Sequence, residues 1–137
     1  MRERVGANVA VVWALLLAAS ASAALAEESS PPCEDAPTVV GACFSVHGRL
    51  GVYNGIPIRI WVVGTRRMLG VKDAAGGGVT VRPEIQRLLS LSEPGETVVY
   101  GDYEVCPLSK AHAGWMQFVC VEGATHLMAR DRAGSSP

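Results

Sequence analysis

The chain has 137 residues, of which 49% are hydrophobic and 18% are charged, and its formal net charge is −1. This length suits one small domain and is too short for two once a leader segment is subtracted. A near-neutral charge lacks the excess of Lys and Arg that nucleic-acid binding requires, so we expect no nucleic-acid partner.

Residues 1–26 have the pattern of an export signal. Arg2 and Arg4 precede an uncharged run, Val9 to Ala26, which ends in small residues suited to signal peptidase. The alternative is a retained membrane anchor, but the run is short for a span and is rich in Ala and Ser. We therefore expect cleavage before Glu27 and an exported protein, periplasmic or secreted, without a stable membrane span.

Four cysteines follow the expected cleavage site: Cys33, Cys43, Cys106 and Cys120. An even number in a small exported domain indicates two disulfides, and three connectivities can be written. The cysteines are too widely spaced for the close pairs that bind zinc, so we expect neither a metal nor another cofactor.

Alternating apolar and polar residues predict two neighbouring strands over residues 43–52 and 56–62. A two-residue turn at Asn54-Gly55 would place their apolar sets on opposite faces, so we predict a three-residue loop, Tyr53-Asn54-Gly55. This loop pairs Val52 with Ile56. It also places His47 opposite Trp61 and Arg49 opposite Arg59.

The rest of the chain reads as further short strands and one helix. The helix begins at Pro83 and has Ile85, Leu88 and Leu89 on one side. The additional strands are predicted at residues 67–72, 97–106, 115–122 and 126–129.

The predicted element order is typical of a mainly β fold and resembles the OB-fold, a small five-stranded barrel with one short helix between strands three and four. We expect the barrel domain at residues 39–130. A mobile lead-in at residues 27–38 would precede it, and a disordered tail at residues 131–137 would follow it. Two disulfides would stabilise the barrel.

The segment from Cys43 to Trp61 also resembles a group of small exported bacterial proteins without an assigned function. The shared residues are Cys43-Phe44, Val46-His47-Gly48-Arg49-Leu50, Tyr53-Asn54-Gly55, Pro57 and Arg59-Ile60-Trp61, followed by Gly64-Thr65, Cys106-Pro107 and Val119-Cys120-Val121-Glu122. This resemblance implies no particular activity.

The likeness to the OB-fold implies a disulfide pairing, because its first and fourth strands are antiparallel neighbours. Cys43 would then pair with Cys106, which leaves Cys33 for Cys120. Local pairs, Cys33 with Cys43 and Cys106 with Cys120, remain the alternative. The same topology places His47 opposite Asp102 and Ser45 opposite Glu104. It points Val99, Gly101, Tyr103 and Val105 inward.

These registers gather five residues on one outer face of the sheet: His47, Arg49, Arg59, Trp61 and Asp102. Two arginines directly opposite each other repel unless an anion lies between them. We therefore predict a shallow site for a carboxylate, a phosphate or an acidic sugar, with Trp61 as a stacking surface. The alternative is a surface ion-pair network in which Asp102 and Glu104 neutralise the arginines.

The sequence thus favours a non-catalytic binding module of the cell envelope, for a small anionic or saccharide ligand or an envelope protein. One alternative is an inhibitor or partner of an exported enzyme, acting through residues 107–114 or the Tyr53-Asn54-Gly55 loop. Another is a hydrolase that uses His47, although no nucleophile with oxyanion donors is evident. We expect Trp115, Met116 and Phe118 to be buried in the barrel.

Overall fold

The computed structural model describes residues 32–54, 57–75 and 78–134. The expected export signal, residues 1–26, lies outside these residues. Among the described residues, no helix combines the length and the apolar composition needed to cross a membrane.

In the described part of the chain, five strands form one sheet that closes into a barrel. The elements are β1 (Phe44–Val52), β2 (Ile58–Val62), β3 (Met68–Val71), α1 (Pro83–Leu89), β4 (Thr97–Pro107), β5 (Gln117–Asp131) and a 3₁₀ turn (Arg132–Gly134). The strands follow one another in the order β1-β2-β3-β5-β4, and β4 returns to β1. Only β3 and β5 run parallel among the strand pairs of the described residues. The predicted OB-like barrel with a helix between β3 and β4 is confirmed.

The pairing of β1 with β4 closes the barrel and has the predicted register. Ser45 lies opposite Glu104, and His47 lies opposite Asp102. The inward residues of β4 are buried, and the largest of them, Tyr103, has no exposed surface.

The structure contains two disulfides in the described residues, and they join distant parts of the chain. Cys43 pairs with Cys106, and Cys33 pairs with Cys120. This is the pairing that the barrel topology implied, and the two local pairs are not formed. Two disulfides indicate an oxidising environment.

The predicted register between β1 and β2 is wrong by two residues. Val52 pairs with Ile58 rather than Ile56, and the connection closes through a hydrogen bond from the Tyr53 N–H to the Pro57 carbonyl (2.9 Å). A shift of two residues keeps every side chain on the same face, so the apolar alternation is satisfied by either register.

This correction changes the neighbours on the outer face. Arg49 lies opposite Trp61, and Gly51 lies opposite Arg59. The predicted direct pairing of Arg49 with Arg59 across the strands is therefore wrong.

The C-terminal part of the barrel also differs from the prediction. The two short strands expected after residue 114 are one strand, β5, which pairs with β4 through two register shifts. At the start of the segment predicted as a disordered tail, residues 131–137, Asp131 is the last residue of β5 and residues 132–134 form a 3₁₀ turn. Residues 135–137 lie outside the described chain.

The described part of the expected mobile lead-in, residues 32–38, packs on the barrel. Cys33 is buried, and its N–H donates to the Glu122 carboxylate. The Thr38 hydroxyl donates to the Ala74 carbonyl. This segment therefore covers the second, smaller buried cluster, which consists of Cys33, Ala74, Cys106 and Cys120.

The main core fills the barrel and is closed at one end by the helix. Its fully buried members include Leu50, Ile60, Leu69, Val119 and the helix residue Ile85. Burying each such aliphatic side chain contributes about 1.5–3 kcal/mol to folding. Pro83 starts the helix in a first-turn position, where the missing N–H costs no hydrogen bond.

Replacing Gly48 with alanine should destabilise the barrel. A Cβ at this position would overlap the fully buried side chain of Ile60 and would also contact the Tyr103 ring. We expect Gly48→Ala to lower the free energy of unfolding by about 1–3 kcal/mol, as overpacking does. Urea denaturation would measure this loss.

The matched control is Gly123→Ala on β5, where the added Cβ would only contact Glu104 at 3.7 Å. Equal stabilities of the two variants would contradict the close approach at Gly48.

The Cys33–Cys120 disulfide should make a separate contribution to stability. It closes a chain segment with a sequence separation of 87 residues. We expect the double variant Cys33→Ser/Cys120→Ser to lose about 2–4 kcal/mol, because the unfolded chain gains conformational freedom. Limited proteolysis should also cleave this variant within residues 32–40 at shorter times than it cleaves wild type. A variant with the same free energy of unfolding and the same cleavage rate as wild type would refute this contribution of the disulfide.

Candidate functional site

All five residues of the predicted site lie at outward-facing positions of the barrel, on β1, β2 and β4. They do not form one cluster. His47 and Asp102 contact each other, Arg49 and Trp61 contact each other, and Arg59 turns toward the loop before β2.

The Asp102 carboxylate binds two imidazoles, one of which the sequence did not indicate. The Nδ1 atom of His47 lies 2.8 Å from Oδ1 of Asp102, and the Nδ1 atom of His126 lies 2.9 Å from Oδ2. An ionised carboxylate can only accept hydrogen bonds, so both Nδ1 atoms donate. The pKa of Asp102 is lowered from its ordinary value, because the hydrogen bonds from His47 and then from His126 favour the charged form.

A β-bulge on β5 brings His126 to Asp102. The register shifts there, and His126 adopts a left-handed backbone conformation with φ of 51°. Histidine is among the few non-glycine residues enriched in this region, which still costs free energy. Bulges commonly redirect a side chain, and this one turns an imidazole toward a carboxylate on the neighbouring strand.

The His47–Asp102–His126 cluster resembles part of a catalytic triad, but no nucleophilic side chain is hydrogen-bonded to either imidazole among the described residues. Ser45 lies two residues away on β1 and makes no hydrogen bond to either imidazole among the described residues. The cluster is also open to solvent, since the His126 side chain is 82% exposed. No group of acidic, histidine or cysteine residues suited to a metal ion occurs within residues 32–54, 57–75 and 78–134.

Arg49 and Trp61 stack across β1 and β2. The guanidinium carbon of Arg49 lies 4.4 Å from the centroid of the Trp61 ring. The indole N–H donates to the Thr65 carbonyl at 2.6 Å. One part of the Trp61 surface is therefore covered by a cation, and its polar atom is already bonded within the chain.

Two arginines converge on Tyr53 at the start of the β1–β2 connection. The guanidinium carbon of Arg59 lies 5.4 Å from the centroid of the Tyr53 ring, and that of Arg132 lies 4.5 Å from it. Arg59 donates to the Asn54 carbonyl (2.9 Å), and Arg132 donates to the Val52 carbonyl (2.6 Å). We call this arrangement of Tyr53, Arg59 and Arg132 the arginine–tyrosine cluster.

The charges of the arginine–tyrosine cluster have no direct partner in the described chain. Neither Arg59 nor Arg132 hydrogen-bonds a carboxylate among the described residues. The Nε atoms of both side chains are buried, and they too have no acceptor there. Two like charges near one ring repel, so an anion beside them would be favourable.

The structure also reveals an exposed tryptophan that we expected in the core. Trp115 is 82% exposed, in the loop between β4 and β5, whereas Met116 and Phe118 are partly buried. No sequence signal separated Trp115 from its apolar neighbours. The sequence does not indicate Arg132, which lies in the predicted tail, and it indicates Tyr53 only as a turn residue.

Comparison with protein-family models, curated proteins and solved structures gives no match to this chain. Its class is therefore defined by its own fold and surface. It is a disulfide-linked, five-stranded β-barrel with an arginine- and aromatic-rich outer face.

The His47–Asp102–His126 cluster should contribute to the free energy of unfolding in a pH-dependent way. The lowered pKa of Asp102 means that its carboxylate stabilises the fold above the ordinary value of 3.8 and stops doing so as the pH falls through the lower folded value. We therefore expect Asp102→Asn to unfold at a lower temperature than wild type near neutral pH. The two unfolding temperatures should converge in strong acid.

Thermal unfolding measured from neutral pH to strong acid tests this expectation. Glu104→Gln is the control, because it also removes a charge from the outward side of β4. A difference in unfolding temperature between wild type and Asp102→Asn that persists or increases in acid would show that the Asp102 carboxylate does not stabilise the fold in this way.

Proposed function

We propose that the protein is an exported, non-catalytic binding module that takes an anionic ligand on the outer face of its barrel. Export is supported by the leader pattern of residues 1–26 and by the two disulfides. The residues of the ligand site belong to β1, β2 and the segment just after β5.

One observation carries the proposal, namely the convergence of Arg59 and Arg132 on Tyr53. Aromatic contact and backbone carbonyls hold both guanidinium groups in place without cancelling their charge. A carboxylate or phosphate fits such a pair well, because guanidinium groups present several donors in a fixed geometry.

The neighbouring residues extend the same surface. Arg49 lies two residues before Gly51, which faces Arg59 across the strands, and Arg49 stacks on Trp61. Of the predicted site residues, Arg59 therefore belongs to the arginine–tyrosine cluster, and Arg49 and Trp61 lie beside it on β1 and β2. His47 and Asp102 lie further along β1 and β4 and bind each other, so we assign them a supporting role at the edge of this face.

A hydrolase that uses His47 is not part of the proposal. The imidazole is oriented by Asp102, but Ser45 makes no hydrogen bond to it among the described residues. Binding requires only the charges and surfaces that the face presents.

A thermal-shift titration of the oxidised protein with inorganic phosphate, citrate and oligogalacturonate tests the proposal. A ligand that binds only the folded state raises the free energy of unfolding by about 2.7 kcal/mol at a hundredfold excess over its Kd. We expect at least one probe to stabilise the protein in a saturable manner. Removing one charged hydrogen bond should weaken its affinity by roughly tenfold or more.

The informative variants are Arg59→Ala and Arg59→Lys. Alanine should reduce the stabilisation at a given ligand concentration by about half or more. Lysine should restore only part of it, because it keeps the charge but lacks the planar donor pair. Arg82→Ala is the matched control, since Arg82 lies at the start of α1 and pairs with Glu84. A flat response to all probes, or an equal response in wild type and Arg59→Ala, would refute the proposed site.

A further inference from the structure

A groove lies at the opposite end of β2 from the arginine–tyrosine cluster. Its walls are the turn that joins β2 to β3 and the loop that joins β4 to β5, and its volume is about 620 Å³. This volume is within the range of about 300–1,000 Å³ that ligand sites occupy. We call it the Trp115 groove.

The loop that forms one wall is held in a defined conformation by hydrogen bonds at its base. The Leu108 N–H donates to the Phe118 carbonyl (2.9 Å), and the Phe118 N–H donates to the Ser109 hydroxyl (2.8 Å). The Gln117 amide also donates to the Ser109 carbonyl at 3.0 Å. Arg67, from the other wall, donates to the same Gln117 side chain. A preformed groove loses little conformational freedom when it binds a partner.

A tight turn presents Trp115 to solvent. The Trp115 N–H donates to the His112 carbonyl (3.1 Å), and Gly114 has a φ of 79°, which this turn geometry requires at its third position. The result is an indole that is 82% exposed. Tryptophan is highly buried on average, so a turn that holds it in water points to a partner surface.

The charge of the groove has one sign. Arg66 and Arg67 line it, and no Asp or Glu is among the described residues that do so. Arg66 is exposed and makes no hydrogen bond or ion pair within the described chain, while Arg67 bonds a neutral amide and lies over the Phe44 ring. The groove therefore favours acidic groups, although the whole chain carries a net charge of −1.

The composition of the lining favours a protein partner. It combines one Trp, two Met and two Arg and lacks Lys, Asp and Glu among its described residues. Trp, Met and Arg are enriched in protein interfaces, and Lys, Asp and Glu are depleted there. Trp and Arg also dominate the residues whose truncation costs most binding energy.

We propose that the Trp115 groove binds an acidic segment of a partner protein. An apolar side chain of that segment packs on the Trp115 indole, and its carboxylates bond to Arg66 and Arg67. This surface is distinct from the arginine–tyrosine cluster, because Tyr53, Arg59 and Arg132 do not line the groove. Arg59 also lies near the start of β2, roughly 10 Å along the strand from the turn that follows Val62.

Fluorescence anisotropy with short labelled peptides tests the proposal on the full oxidised protein. Three peptides differ in one property each: alternating Glu and Leu, alternating Glu and Ser, and alternating Lys and Leu. We expect the Glu–Leu peptide to bind at least about tenfold more tightly than either of the others, because it alone supplies both carboxylates and apolar side chains.

Two exposed residues are substituted to locate the binding. Trp115→Ala should weaken the Glu–Leu peptide by about tenfold or more, as loss of a central aromatic does. Arg66→Ala should weaken it less and should reduce its salt dependence. Leu91→Ala and Arg130→Ala, which remove an exposed apolar and an exposed basic residue elsewhere, should leave the affinity unchanged.

Each contrary result overturns the proposal in a recognisable way. Equal binding of the Lys–Leu peptide would indicate unspecific apolar contact, and equal binding of the Glu–Ser peptide would indicate simple anion attraction. If oligogalacturonate binds as tightly as the Glu–Leu peptide, and if Trp115→Ala abolishes that binding, the groove is a glycan site instead. Peptide affinity that falls in Arg59→Ala but not in Trp115→Ala would transfer the binding to the arginine–tyrosine cluster.

Discussion

The pairing of β1 with β4 is the constraint on which the rest of this structure depends. It joins the first long strand to the fourth and converts a five-stranded sheet into a closed barrel. Closure removes the unpaired sheet edges that an open sheet would expose. The Cys43–Cys106 disulfide lies at one end of this pairing and holds its register. That register decides which side chains fill the core and places His47 beside Asp102 on the outside.

The outer surface is organised by ring contacts that hold partly buried arginines in position. Arg49 lies over Trp61, and Arg59 and Arg132 lie over Tyr53. At exposed sites such contacts contribute only about 0.5–1 kcal/mol each. Their effect on stability is therefore small, and those on Tyr53 leave Arg59 and Arg132 without a carboxylate partner among the described residues. This is the physical basis of the binding role that we propose for a chain whose net charge is close to zero.

Much of the architecture was predictable because several independent patterns agreed. The alternating apolar residues of β1 and those of β4 all point into the barrel when Phe44 pairs with Val105. The same register brings Cys43 next to Cys106. The pairing of β1 with β2 lacked such a second constraint. Shifting it by two residues changes no side chain's face, so only the five-residue connection in the folded chain distinguishes the two registers.

The candidate sites depended more strongly on tertiary structure. His126 reaches Asp102 only because a bulge breaks the regular pairing of β5, and alternation does not report where a strand bulges. Arg132 meets Tyr53 only because the chain continues past β5 into a 3₁₀ turn that crosses back to β1. Trp115 is exposed because its turn is held by hydrogen bonds at the base of the loop.

The sequence by itself determined that the chain is mainly β, which face the predicted strands bury and where helix α1 lies, because these follow from local periodicity. Only the tertiary structure decided which outward residues are neighbours. Neighbour relations on a barrel surface depend on registers, bulges and loop lengths, and these are selected by the closure of the whole sheet rather than by any one segment.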